Sequence, residues 1–228
     1  MDDAQEQQYL VSHYHPNSKI LESIAGVRLI AVVGPSAVGK TTIMETAVQK
    51  SPLLSMVGGV TSRARREGES EAEFKFLTKE QVLTGAKQGY YVQIAMTPSG
   101  DLYATSPSDY PAAKVGIMAV LSSAIADFRK YFPELKVVFI VPGTYEAWVQ
   151  RFNERAADDE DKSKRLEEAK QSLSFALTDE NVHFILNDGL EQAVDRLIQV
   201  AEGAKPDAED QAKTLAAQYL ESLNGQKP

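Results

Sequence analysis

Residues 34–42 read Gly34-Pro35-Ser36-Ala37-Val38-Gly39-Lys40-Thr41-Thr42, directly behind the apolar run Val27-Arg28-Leu29-Ile30-Ala31-Val32-Val33. A Gly-x-x-x-x-Gly-Lys-[Ser/Thr] spacing between a strand and a helix is a phosphate-binding loop. Gly34 and Gly39 admit the backbone angles that turn successive amide N–H groups, including those of Ser36, Ala37 and Val38, toward one anion. The helix predicted from Lys40 onward adds its positive dipole end. Lys40 reaches the β- and γ-phosphates of a nucleotide as a mobile point charge, and the Thr41 hydroxyl, next to Thr42, is placed to ligate Mg²⁺.

The chain has 228 residues, a length that suits one α/β domain with insertions or tails. Its 24 basic and 32 acidic residues give a formal charge of −8, which argues against a general affinity for nucleic acid and makes local basic clusters sites for small anions. With no cysteine, disulfides, thiolate metal sites and cysteine nucleophiles are excluded. No apolar run approaches the length of a transmembrane helix, and the polar start MDDAQEQQ is unlike a signal peptide. The expectation is a soluble, cytoplasmic protein without a membrane partner.

From Val27 onward, apolar β-branched runs alternate with helical periodicity. The runs at 27–33, 115–121, 137–141 and 182–186 are near-continuously apolar, as strands buried on both faces of a parallel sheet are. Trp148 and Phe152 share one face of a helix predicted over 144–155. Leu166, Ala169 and Leu173 repeat in the same way, as do Leu190, Val194, Leu197 and Ala201. The expected fold is therefore α/β, a P-loop NTPase-type doubly wound parallel sheet with its ligands at the carboxyl edge. His183, alternating with apolar neighbours, reads as a core or edge histidine.

The expected domain spans 27–203. Inside it, residues 60–110 break the α/β rhythm and read as a small β-rich lobe, while 156–164, AADDEDKSK, reads as a solvated acidic loop serving as a mobile cover, part of a helical lid over 155–170. Residues 1–26 form a polar extension, irregular apart from a short helix at 19–24, with His13 and His15 as loop residues. Residues 204–228 form a linker and a helical tail in which Leu215, Tyr219 and Leu223 fall at helical spacing, ready to dock on the domain or on a partner.

A loop that surrenders a phosphoryl group needs a second anion site facing it, and Thr61-Ser62-Arg63-Ala64-Arg65-Arg66-Glu67-Gly68-Glu69 supplies arginines. Alone, this cluster reads equally as a phosphate grip or as a solvated turn. Taken together, however, these stretches resemble the guanylate kinase family from Val27 to about Glu202. The loop GPSAVGKTT is similar to that family's Gly-Pro-Ser-Gly-x-Gly-Lys-Ser/Thr, with Ala37 at a usual glycine, and TSRARREGE resembles Thr-Thr-Arg-x-Pro-Arg-x-Gly-Glu. The resemblance implies ATP with Mg²⁺ on the donor side and a small phosphorylated acceptor gripped by Arg63 and Arg66. The stretch GDLYATS resembles Gly-Asn-x-Tyr-Gly-Thr-Ser, which implies Tyr103 near the acceptor phosphate and Thr105 near the base. By the same resemblance Arg151 and Arg155 point toward ATP, Arg165 is the lid arginine near the transferring phosphoryl, and Asn187 contacts adenine. The implied reaction is direct phosphoryl transfer by a monomer or homodimer, with no covalent enzyme intermediate.

The sequence departs from the family pattern on the acceptor side. Phe74 stands where a phosphate-binding tyrosine is usual, Gln93 where a glutamate reads guanine, and Ala119-Val120-Leu121 where the family has Asp-Ile-Asp. Asp101 and Glu45 are the remaining acidic candidates for the metal. An amide offers one acceptor and one donor group in place of a carboxylate's two acceptors, so guanine is held differently or another base is preferred. Three readings follow: a nucleoside monophosphate kinase with GMP or dGMP as default acceptor, a kinase of another phosphorylated metabolite such as ribose 1,5-bisphosphate, and a nucleotide-binding module with little turnover.

Overall fold

The computed structural model describes the backbone of residues 3–65, 74–97, 99–155 and 159–225, and the side chains within these except at 3, 4, 155 and 159–161. A five-stranded parallel sheet forms its centre: β1 (Arg28–Val33), β2 (Leu54–Met56), β7 (Val115–Ala119), β8 (Lys136–Pro142) and β9 (Val182–Asn187), in the order β2-β7-β1-β8-β9. Side chains alternate across each strand, and both faces are covered. Ile30 and Val32 of β1, with Val138, Ile140 and Ile185, pack under α3 (Lys40–Lys50) and α8 (Leu190–Glu202). Leu29, Ala31 and Val33, with Phe139 and Phe184, pack on the opposite side under α5 (Ile125–Tyr131), α6 (Tyr145–Arg155) and α7 (Asp159–Thr178). This double burial is why the strand sequences are apolar at nearly every position. The connection after β1 runs to β2 on the β7 side, whereas the one after β7 passes β1 to reach β8, so the connections diverge at β1 and a crevice opens at its carboxyl end.

A second sheet lies over that crevice, with β3 (Val60–Thr61), β4 (Lys75–Phe76), β5 (Gln93–Met96) and β6 (Leu102–Thr105) in the order β4-β3-β6-β5. Its back is covered by α4 (Lys79–Lys87), which starts at a capping box between Thr78 and Gln81. The segment expected to be β-rich thus carries a helix as well. Val82 and Ala86 of α4 pack against Ile94, Leu102 and Ala104, leaving the other face of the sheet toward the crevice.

Two local expectations change. Residues 1–26 are not irregular before the short helix: α1 (Asp3–Ser12) precedes α2 (Ser18–Ser23), and Leu10, Val11 and Tyr14 pack on the small lobe. The acidic stretch read as a loop over 156–164 is helical from Asp159 on, while 156–158 lie outside the described residues; acidic residues in an opening turn favour a helix start through its dipole. Strand β2 is too short to show a period. The tail forms α9 (Glu209–Gly225) and docks on the domain itself, burying Ala212, Ala216, Tyr219 and Leu223 against α7 and β9, with the Tyr219 hydroxyl donating to Pro142 O at 3.1 Å. His183, on edge strand β9, meets Glu209 Oε1 through Nδ1 at 3.1 Å. Leu223→Ala is expected to lower stability by roughly 2–5 kcal/mol in a urea titration, since it opens a cavity under a buried helix. An unchanged midpoint would show that α9 is not docked in solution.

Candidate active site

The loop between β1 and α3 is shaped by three unusual backbone conformations. Gly34 has φ +148° and passes so close to β8 that an added Cβ would lie 2.9 Å from Ile140 O. Ala37 at φ +64° and Gly39 at φ +97° complete a concave turn, and no side chain caps α3 at Gly39. Amide N–H groups at the start of α3 are therefore directed into the crevice together with the helix dipole. Lys40 arches across the loop, its Nζ donating to Gly34 O at 2.6 Å and Pro35 O at 3.0 Å.

Contacts from distant parts of the chain hold this loop from outside. Trp148 of α6 is buried and donates its indole N–H to Ser36 O at 2.9 Å. Asn187, ending β9, donates through Nδ2 to Val38 O at 2.7 Å. From α7, Arg165 Nη1 donates to Ser36 Oγ at 3.2 Å, which brings a guanidinium over the loop.

Opposite the loop stands the open face of the small sheet. Pairing of β5 with β6 sets Gln93 beside Thr105 and Ala95 beside Tyr103, so these four alternate positions share one face, and all line the cleft. Arg63 follows β3, donating its Nε–H to the Tyr103 hydroxyl at 3.1 Å and an Nη1–H to Ala64 O at 2.7 Å; its guanidinium lies 5.6 Å from the Phe76 ring centroid. Phe74 packs edge-on against Tyr103, with ring centroids 5.4 Å apart. Gln93 is buried. Thr105 is also buried, bonded through Oγ1 to the Tyr110 hydroxyl at 2.7 Å, and burial holds that phenol's proton well above its ordinary range. Ala119 and Leu121, at the end of β7, give the cleft floor an apolar stretch.

The cleft between these walls has a volume of about 890 Å³. It brings together Gly34, Ser36, Ala37, Val38, Gly39, Lys40, Thr41 and Thr42 from the loop, Arg63, Phe74, Gln93, Tyr103 and Thr105 from the lobe, and Arg165 from α7. Two expected residues lie elsewhere. Asn187 is absent from the wall because its amide is bonded to the outer side of the loop, and Arg151 is exposed because α6 turns Trp148 and Phe152 to the core. Arg66 and the side chain of Arg155 lie outside the described residues. Conversely, Lys164, Glu168 and Ser122 line the cleft unannounced. The first two lie four apart on α7, flanking Arg165; Lys164 fell at the end of the stretch read as an acidic loop, and Glu168 lay in the expected helix without being singled out. Glu45, a turn beyond Thr41, and Asp101, which accepts from Ser99 Oγ at 3.2 Å, also face it. No cluster of three or more potential metal-ligating side chains occurs among the described residues.

The sequence profile of guanylate kinase matches residues 26–204, a span that runs from just before β1 to just beyond α8. The chain belongs to the guanylate kinase family. It is 30% identical over 179 residues to the guanylate kinase of Synechocystis sp., a match covering 76% of this chain and 92% of that one. To the guanylate kinase of Nocardia farcinica it is 28% identical over 180 residues, covering 76% and 92%. A crystal structure of guanylate kinase from Anaplasma phagocytophilum shares the fold, with a TM-score of 0.59 at 19% identity over 89% of this chain and 97% of that one. The chain is thus a guanylate kinase-like phosphotransferase whose helices α1, α2 and α9 fall outside the family span. Trp148→Phe keeps an aromatic ring at α6 but removes the donor to Ser36 O. Titration with an ATP analogue is expected to show binding roughly three- to tenfold weaker, and equal affinity would mean that this bond does not shape the loop.

Proposed function

We propose that this protein transfers the γ-phosphoryl group of ATP to a nucleoside monophosphate, with GMP and dGMP as default acceptors yielding GDP and dGDP. One observation carries the reading: a phosphate-binding loop with Lys40 and Thr41 faces Arg63 and Tyr103 across a single cleft, with Arg165 above the loop. A phosphate oxygen of the acceptor attacks the γ-phosphorus, the bond to the β–γ bridging oxygen breaks, and ADP departs. Little proton chemistry is needed, so the protein's contribution is alignment and charge stabilisation.

Each side chain then has a role. The loop amides and Lys40 hold the donor phosphates, Lys40 exchanging loop carbonyls for phosphate oxygens. Arg63, oriented by the Tyr103 hydroxyl and stacked near Phe76, grips the acceptor phosphate, and Arg66 joins it. Arg165 neutralises charge developing on the transferred group, and inward movement of α7 excludes water so that ATP is not merely hydrolysed. The donor set fits Mg²⁺ held chiefly by nucleotide phosphates: Thr41 supplies a hydroxyl at the loop, with Glu45 a turn behind it, and a dedicated carboxylate cage is missing among the described residues. When bound, the cation offsets negative charge between the donor phosphates.

Base choice rests on Gln93 and Thr105. A glutamine at the lobe wall pairs with one donor and one acceptor of a base edge, so the guanine 2-amino group gains less than from a carboxylate. Ala119 and Leu121 favour a second reading, a phosphorylated sugar such as ribose 1,5-bisphosphate, because an apolar floor makes no demand for an amino group.

The deciding assay is ADP release with Mg-ATP and GMP, dGMP, IMP, AMP, CMP, UMP or ribose 1,5-bisphosphate, against an acceptor-free blank. Dominant turnover with GMP or dGMP upholds the default, and strong turnover on ribose 1,5-bisphosphate alone overturns it. Binding of ATP without turnover on any acceptor would make the chain a binding module. Lys40→Ala should cut kcat by roughly 10³-fold or more with the fold intact, and Arg63→Ala should raise the acceptor KM while lowering kcat. Gln93→Glu is expected to raise kcat/KM for GMP roughly tenfold by restoring a charge-assisted pair; no gain would place the base elsewhere.

A further inference from the structure

Strand β5, which carries Gln93, is the edge of the small sheet, and among the described residues it pairs on one side only, with β6. An edge strand leaves backbone groups without a neighbouring strand and is correspondingly easy to displace. At the entrance to β5 this deficit is met by a side chain from outside the family span. The Tyr14 hydroxyl donates to Tyr91 O at 2.6 Å and accepts from Tyr91 N at 3.0 Å, so one phenol satisfies both backbone groups of a residue two positions before Gln93. The next residue, Val92, donates to Thr105 O at 2.7 Å, tying that point to the strand that carries the other base-facing residue.

The segment bearing Tyr14 is anchored at both ends. On the lobe side, Leu10, Val11 and Tyr14 pack against the cluster of Val82, Ala86 and Tyr91, and Lys87 meets Glu6 at 3.5 Å. Three residues beyond Tyr14, Asn17 caps α2 by accepting from Ile20 N at 3.1 Å, and Ile20 and Ile24 are buried in the main core beside Tyr110, Phe128 and Phe132. His15 Nδ1 lies 3.3 Å from the Tyr131 hydroxyl of α5. The extension is therefore a strap from the main core to the free edge of the lobe, and its length limits how far β5 moves relative to the phosphate-binding loop.

We propose that Tyr14 is a positioning residue of the acceptor site, setting through Tyr91 where Gln93 meets the acceptor. The inference rests on the proposed reading of the lobe as the acceptor-binding side. It predicts that disturbing the strap weakens the acceptor and leaves the donor alone, since the loop is held independently by Trp148, Asn187 and Arg165.

The test compares the full-length chain with Tyr14→Phe, which keeps the ring and removes only the hydroxyl, and with Tyr9→Phe as a control, Tyr9 being 55% exposed on the same extension. Two readouts are taken: steady-state kinetics with GMP and Mg-ATP, and amide hydrogen exchange without substrates. Tyr14→Phe is expected to raise the GMP KM about tenfold, with kcat and the ATP KM within about twofold, and to speed exchange at Tyr91–Met96 by a similar factor. Tyr9→Phe should change neither. Unchanged exchange at Tyr91–Met96 overturns the strap. Faster exchange with an unmoved GMP KM, or equal rises in both KM values, overturns its link to the acceptor. If the unaltered chain phosphorylates none of the acceptors tested, the proposed activity fails while exchange still decides whether Tyr14 holds β5.

Discussion

Everything in this molecule is arranged around a turn of backbone too tight for a side chain at its first position. Gly34 passes within van der Waals reach of β8, and only from there does the chain reverse quickly enough to present its amides to one point. That closeness requires β1 in the middle of the sheet with β8 beside it. This in turn requires crossovers on both sides and helices over both faces. The cleft opens where the sheet order reverses, which is also where the loop emerges. Fold and phosphate site are thus one geometric solution.

The two walls of the cleft are built on different principles. On the donor side, backbone groups make the surface, and remote side chains such as Trp148 and Asn187 brace them by bonding carbonyls on the far side. On the lobe side, the surface is made of side chains in cross-strand pairs, Gln93 with Thr105 and Ala95 with Tyr103. A backbone surface tolerates few changes, because nearly every residue already has its conformation fixed. A side-chain surface on a pleated strand can be altered one position at a time. This difference leaves the donor loop little room for substitution, whereas Gln93 is a side chain on a lobe strand that can change without reshaping its wall.

The same contrast governs what the sequence made legible. The parallel strands were plain because burial on both faces makes them apolar throughout, and the loop was plain because its geometry restricts residue types. Strand β2 was too short for periodicity, and α1 is so polar that its helical character shows only through its contacts with the lobe. The acidic start of α7 looked like a solvated loop, which hid Lys164 from the site, while Glu168 lay in the expected helix with no sign that it faced the cleft. Bonds such as Trp148 to Ser36 join residues more than a hundred positions apart, and no local pattern announces them. Asn187 was expected to contact adenine, and its bond to Val38 O depends on where β9 ends, which no local pattern shows.

Ala37 holds a left-handed conformation, φ +64°, in the middle of the phosphate-binding loop. An alanine there stores strain of roughly 1 kcal/mol or more that a glycine would not. The loop therefore carries part of the cost of its phosphate-receiving shape already in the resting state, and the bonds from Trp148 and Asn187 to its carbonyls hold it there. A single methyl group thus turns those distant braces from supports into necessities: what the loop's own backbone no longer favours, the surrounding sheet and helices must impose.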